Sequence, residues 1–118
     1  MSNAVRHATH VIMFLMLTGC LSNQQESVSE EAKQQAMKAY MECLHAAAAK
    51  MDDGKSDAMT VAMAIKPLCA GEFARSVKLS GSGLSPYARN LFEERVRASQ
   101  LELGATAVLD QRKAAKSN

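Results

Sequence analysis

The amino-acid sequence predicts an all-α protein, in which an antiparallel helical hairpin carries a third helix. Alanine is abundant, and no stretch alternates apolar and polar residues as a half-buried strand would. Apolar residues instead recur at helical spacing, and capping residues and glycines divide the pattern into three segments. We therefore expect one small helical domain over residues 27–118, with the hairpin at 27–79 and the third helix at 85–113.

The first helix is predicted to begin at Ser27, because Ser27-Val28-Ser29-Glu30 has the form of a capping box. Gly54, in the turn Asp52-Asp53-Gly54-Lys55, is suited to the left-handed conformation that ends a helix. The apolar face between these signals consists of Met37, Tyr40, Met41, Leu44, Ala47, Ala48 and Met51.

The second helix is predicted to have Ser56 as N-cap and Asp57 in its first turn. Pro67 lies inside it and cannot donate a hydrogen bond to the carbonyl of Met63, so we expect a kink there. Its apolar stripe consists of Ala58, Val61, Ala62, Ile65, Cys69, Phe73 and Val77.

The third helix is predicted to start with Ser85 as N-cap and Pro86 in the first position. Gly104 is a candidate break within this helix. Its apolar side consists of Ala88, Leu91, Phe92, Val96, Leu103 and Ala107.

Residues 1–19 have the three parts of a secretory signal peptide: the positive Arg6, an apolar run over 11–17 and the small pair Thr18-Gly19. Seven to ten apolar residues extend only roughly 10–15 Å as a helix, which is too short to span a bilayer. This segment is therefore predicted to be removed.

Leu17-Thr18-Gly19-Cys20 resembles the lipobox of bacterial lipoproteins. The resemblance implies cleavage between Gly19 and Cys20, a diacylglycerol thioether on Cys20 and acylation of the new N-terminus, for example with palmitate. Leu21 is not the aspartate associated with inner-membrane retention, which favours the periplasmic face of the outer membrane. Residues 20–26 would form a tether. The alternative is a plain secreted protein in which Cys20 merely falls near the cleavage site.

Cys43 and Cys69 remain if Cys20 carries lipid, and an even pair in an oxidising envelope compartment indicates one disulfide. In an antiparallel hairpin the two positions are offset by about 3–6 Å along the helices, so a modest tilt of the helices or the bend at Pro67 must absorb this offset. The spacing of the two cysteines permits this bridge without requiring it. The segment 52–62 between these cysteines also resembles a pattern in small exported bacterial proteins of unassigned function, which implies a cystine-linked hairpin and no activity.

Composition limits the function classes. Without residues 1–19 the chain has 99 residues, 13 Lys and Arg against 12 Asp and Glu, and four aromatic residues, a balance that disfavours nucleic-acid binding. No cofactor motif is visible, and we expect a protein that is not an enzyme and binds no cofactor. The expected function is a lipid-anchored interaction or structural module that binds another protein of the envelope.

The sequence also contains residues that could serve three other functions. A Cu(I) carrier could use His45, Met59 and Met63, although methionine as core filler is the preferred interpretation. Catalysis would need His45 beside a nucleophile, but Cys43 lies two residues away and faces another direction on a helix. Residues 67–118 carry eight bases against five acids, a surface that could touch anionic head groups but is better explained as a solvated helix face.

The acids around Gly54, which are Asp52, Asp53 and Asp57, do not have the spacing of an EF-hand calcium loop. We interpret them as helix-end and N-cap carboxylates.

Cys20 gives the first prediction. Cells that grow with a palmitate analogue should incorporate it into the wild-type protein and not into Cys20→Ala, because the replacement removes the sulfur that carries the lipid. Gel fluorescence of the purified protein after coupling to a dye measures this. Labelling of Cys20→Ala, or no labelling of the wild type, would contradict the lipid assignment.

Overall fold

A computed structural model describes residues 27–117, and within this range the chain contains helices and no strand. The predicted all-α fold is therefore confirmed. The predicted signal peptide at 1–19 and tether at 20–26, with Gly19 and Cys20, lie outside the described residues. The elements are α1 (Glu30–Met51), α2 (Ala58–Ile65), a 3₁₀ segment (Lys66–Cys69), α3 (Ala70–Ser80) and α4 (Pro86–Lys116).

The N-cap of helix α1 lies two residues later than the predicted capping residue Ser27. This N-cap is Ser29, whose hydroxyl accepts a hydrogen bond of 3.1 Å from the backbone N–H of Ala32. Ser29 directly precedes Glu30 and Glu31, whose charges favour the N-terminal end of the helix dipole. The helix ends at Met51, and Gly54 has the positive φ of 69° that the sequence assigned to the following turn.

The predicted second helix is a bent series of three elements, α2, the 3₁₀ segment and α3. The bend lies at Pro67, in the first turn of the 3₁₀ segment, where a missing N–H leaves the α-helical ladder incomplete. The apolar stripe nevertheless continues through the bend on one side. Its buried members are Val61, Ala62, Ile65, Cys69, Phe73 and Val77.

The bend brings Cys69 opposite Cys43 of α1, and the two residues form a disulfide. Their Cα atoms are 5.8 Å apart, within the range of about 4.4–6.8 Å that a bridge requires. Cys69 is fully buried and Cys43 is half-buried, so the bridge is part of the core. The disulfide-linked hairpin is confirmed.

Helix α4 packs across α2 and α1, and its buried residues all lie between Gln100 and Val108. Gly104 does not break it. A Cβ atom at Gly104 would lie 3.0 Å from the Cβ of Ala62, so the glycine permits α4 to approach α2 closely. The expectation of a break was wrong because packing against Ala62 outweighs the low helix propensity of glycine.

The disulfide gives the second prediction. Replacing Cys43 and Cys69 together by Ala should lower the free energy of unfolding by about 3–4 kcal/mol, because the unfolded chain is no longer closed into a loop. Urea unfolding followed by circular dichroism measures this. The matched control is Cys20→Ala, which should leave the midpoint unchanged, and reductant should reproduce the loss in the wild type. A loss below about 1 kcal/mol would contradict a stabilising bridge.

Candidate functional site

The residues that sequence reasoning proposed as a metal or catalytic site lie on two different helices. Met59 and Met63 are 41% and 56% exposed on α2, and His45 is half-buried on α1. The interpretation of these two methionines as core filler was therefore wrong: they lie on the side of α2 away from its buried residues. Within residues 27–117, no three His, Cys, Asp or Glu side chains are grouped so that they could hold a metal ion.

Asp53 organises the turn between α1 and α2. Its carboxylate accepts hydrogen bonds from the backbone N–H groups of Lys55 (2.9 Å) and Ser56 (2.7 Å) and from the Ser56 hydroxyl (2.8 Å). These bonds, first of all the one from the Ser56 N–H, lower the pKa of Asp53 to about 2. Because the Ser56 hydroxyl is used here, Asp57 and not Ser56 is the N-cap of α2.

Asp52 and Arg112 connect this turn to the end of α4. The guanidinium donates from Nε to Oδ2 of Asp52 at 2.9 Å and from Nη2 to Oδ1 at 2.6 Å, and Nη2 also lies 2.6 Å from the carbonyl oxygen of Ser56. The hydrogen bond from Arg112 lowers the pKa of Asp52. All three acids of the turn thus have structural partners, as the sequence interpretation expected.

An open groove lies between α3 and α4. Helix α3 packs along α1, whereas α4 packs on α2 and α1, so the two helices stay apart along most of their length. The groove, called the α3–α4 groove below, has a volume of about 540 Å³. Its lining consists of Lys66, Pro67, Ala70, Phe73, Ala74, Val77, Lys78, Glu93, Arg97 and Gln100.

The floor of the α3–α4 groove is apolar and its rim is cationic. Phe73 and Val77 are buried in the floor, whereas the rim carries Lys66, Lys78 and Arg97. The lining contains one acid, Glu93, which lies 3.6 Å from Nη2 of Arg97. Three positive charges and one negative charge leave the groove with an excess of two positive charges.

Two polar side chains lie at or beneath this floor. Gln100 lines the groove although only 6% of it is exposed. The Tyr40 ring packs on Phe73 with a centroid distance of 5.3 Å, and its buried hydroxyl has no hydrogen bond of ordinary geometry among the described residues. Burial raises the pKa of Tyr40, and the neighbouring Gln100 side chain lowers it.

The first half of α4 presents an apolar face to solvent. Tyr87 and Leu91 are four residues apart and share one side of the helix, and Leu84 is exposed in the turn just before it; Tyr87 is 75% exposed. We call these three residues the Tyr87 face. No residue in the range 86–99 is fully buried, and only Phe92 and Val96 pack against the core from the opposite side.

Sequence reasoning missed both surfaces. It assigned Leu91 to the apolar side that contacts the core, but the contacts of α4 lie on Phe92 and Val96 and, further along, on Gly104, Ala107 and Val108. Gln100 is polar, so a hydrophobic pattern gives no signal for its burial. The groove depends on the angle between α3 and α4, and no sequence motif predicts that angle.

Comparisons with known proteins give no assignment: no protein-family model matches this chain, and no match was found among curated proteins or solved structures. None of the helices in the described range is long and apolar enough to cross a membrane.

Asp53 gives the third prediction. The pKa of its carboxyl is lowered on folding, so its stabilisation is present above the unfolded value of about 4 and is lost as the pH falls towards about 2. Wild type should therefore melt at a higher temperature than Asp53→Asn at pH 7, and the two curves should converge near pH 2.

Thermal melts over this pH range measure the difference. Asp110→Asn is the matched control, because Asp110 is exposed and accepts no hydrogen bond from another described residue, and its effect should stay constant. A wild-type advantage of Asp53 that is independent of pH would show that its carboxylate does not hold the turn.

Proposed function

We propose that this protein is a lipid-anchored module of the bacterial cell envelope, and that it acts without catalysis by binding another envelope protein. The lipobox-like Leu17-Thr18-Gly19-Cys20 supports the anchor and the periplasmic side of the outer membrane. The disulfide between Cys43 and Cys69 supports an oxidising compartment, because such bridges persist outside the reducing cytosol.

The Tyr87 face is the observation that supports a protein partner. A small protein gains stability by burying the apolar side of each helix, yet this half of α4 and the turn before it leave a tyrosine and two leucines in water. Tyrosine is also among the residues that contribute most to binding at protein interfaces. We infer that the partner covers this face.

The shape of the Tyr87 face indicates how the partner binds. The face lies on the start of α4 and the turn before it and is convex, so it offers no enclosure for a small molecule. A convex apolar helix side fits a hydrophobic groove of another protein, with Tyr87 and Leu91 as the anchors at i and i+4 and Leu84 beside them at the helix start. In this arrangement α4 is the inserted helix and the hairpin is its rigid support.

Photo-crosslinking gives the fourth prediction. A benzoylphenylalanine at position 87 or 91 should form an adduct with one envelope protein of defined mass when intact cells are irradiated. Position 109 is the matched control, because Leu109 is 55% exposed on the same helix outside the Tyr87 face, and it should not form that adduct. With the probe at position 91, Tyr87→Ser should reduce the adduct about tenfold, as expected for loss of an anchor residue.

Two results would overturn this proposal. The same adducts from positions 87 and 109 would mean that crosslinking is non-specific. Adducts with phospholipid alone would mean that the Tyr87 face contacts the membrane and no protein.

A further inference from the structure

We propose that the α3–α4 groove binds an amphiphilic anion, a molecule with one apolar chain and a negatively charged carboxylate or phosphate head group. This inference does not rest on the anchor or on the Tyr87 face. It concerns a different surface of the protein, and its test can fail while the proposed function holds, or succeed while that function fails.

The apolar walls of the groove would contact the apolar chain of the ligand. Phe73 and Val77 form the buried floor, and Ala70 and Ala74 line the α3 side without filling the space. The volume of about 540 Å³ lies within the range of about 300–1,000 Å³ that small-molecule sites occupy. A whole helix, with a diameter of about 10–12 Å, is a less suitable occupant than a single chain.

The positively charged rim of the groove would bind the negative head group of the ligand. Lys66 and Lys78 stand at the two ends of the α3 side, and Arg97 faces them from α4. The one acid of the lining, Glu93, is already close to Arg97, so it does not neutralise the two lysines. A neutral or cationic amphiphile would leave these charges without a partner, whereas an anion pairs with them.

Gln100 supplies a polar contact inside the groove. It lines the groove although only 6% of it is exposed, and its side chain neighbours the buried hydroxyl of Tyr40. An amide has two N–H donors and one carbonyl acceptor, so a single contact with Tyr40 leaves an N–H that can donate to a carboxylate or phosphate oxygen. An inorganic anion alone would leave the apolar floor unused, so the combination of floor, rim and amide favours a molecule with both parts.

The test uses the whole protein, as the cell makes it, in vesicles of phosphatidylcholine. The probe is dodecanoate with a photoactivatable diazirine near its chain end, and the comparison probe has the same chain with a quaternary ammonium head group. After irradiation, mass spectrometry of proteolytic peptides locates the adducts. We expect adducts of the anionic probe in the peptides that carry residues 66–78 and 93–100, competed by plain dodecanoate and not by acetate.

Variants distinguish specific binding in the groove from non-specific adsorption of the probe to the protein surface. Changing Lys66, Lys78 and Arg97 together to Gln should weaken labelling about tenfold, as expected for the loss of three exposed charge pairs. The matched control changes Lys38, Lys50 and Lys113 to Gln and should label like wild type. Ala74→Phe, at an exposed position of the lining, should block the groove and abolish labelling while the thermal melt stays cooperative.

A further experiment distinguishes an anion taken from the membrane from one taken from solution. A photoactivatable anionic phospholipid placed in the vesicles tests a ligand taken from the membrane, and dodecanoate added from water tests a free one; groove labelling by either supports the proposal. Equal labelling by the anionic and cationic probes, adducts spread over the whole surface, or unchanged labelling in the groove variants would overturn it.

Discussion

The disulfide between Cys43 and Cys69 is the constraint on which the arrangement of this small protein depends. Cys69 ends the 3₁₀ segment and directly precedes α3, so the bridge fixes the start of α3 on α1. Helix α4 packs on α2 and α1 instead. The space between α3 and α4 is therefore a consequence of where the disulfide holds α3. The groove exists because α4 does not close over it.

A second connection acts at the C-terminal end of α1. Arg112 joins the last part of α4 to Asp52, at the turn that Asp53 shapes through its hydrogen bonds. Between these two connections, Gly104 lets α4 approach Ala62 closely. The C-terminal half of α4 is thus held firmly, while its first half has fewer buried contacts and carries the Tyr87 face. Helix α4 therefore combines a firmly packed second half with a first half that exposes an apolar surface.

The sequence predicted much of the fold because the signals were local. The apolar stripe from Val61 to Val77 is buried as expected, since a bend at Pro67 changes the direction of the helix but keeps its buried side. Ser85 and Pro86 start α4 as predicted, because side-chain capping by serine and the fixed backbone angle of proline involve only neighbouring residues. The competition between Ser56 and Asp57 for the N-cap was decided by a nearby acceptor, Asp53, which a capping rule does not include.

The candidate surfaces could not be predicted in the same way. The Arg112–Asp52 pair connects residues that are 60 positions apart, and Gln100 is a polar residue at a buried position. Neither has a local signature, because each depends on how α4 crosses the hairpin. The exposure of Met59 and Met63 has the same origin: their place on α2 is set by which side Val61 and Ile65 turn to the core.

Hydrogen exchange of the backbone amides, measured with and without reductant, tests most directly whether the disulfide positions α3. If it does, reduction should speed exchange in Ala70–Ser80, and the amides of α4 between Gln100 and Val108 should keep their protection. Equal acceleration in all helices, or no change in α3, would contradict the claim that the bridge between Cys43 and Cys69 holds the groove open.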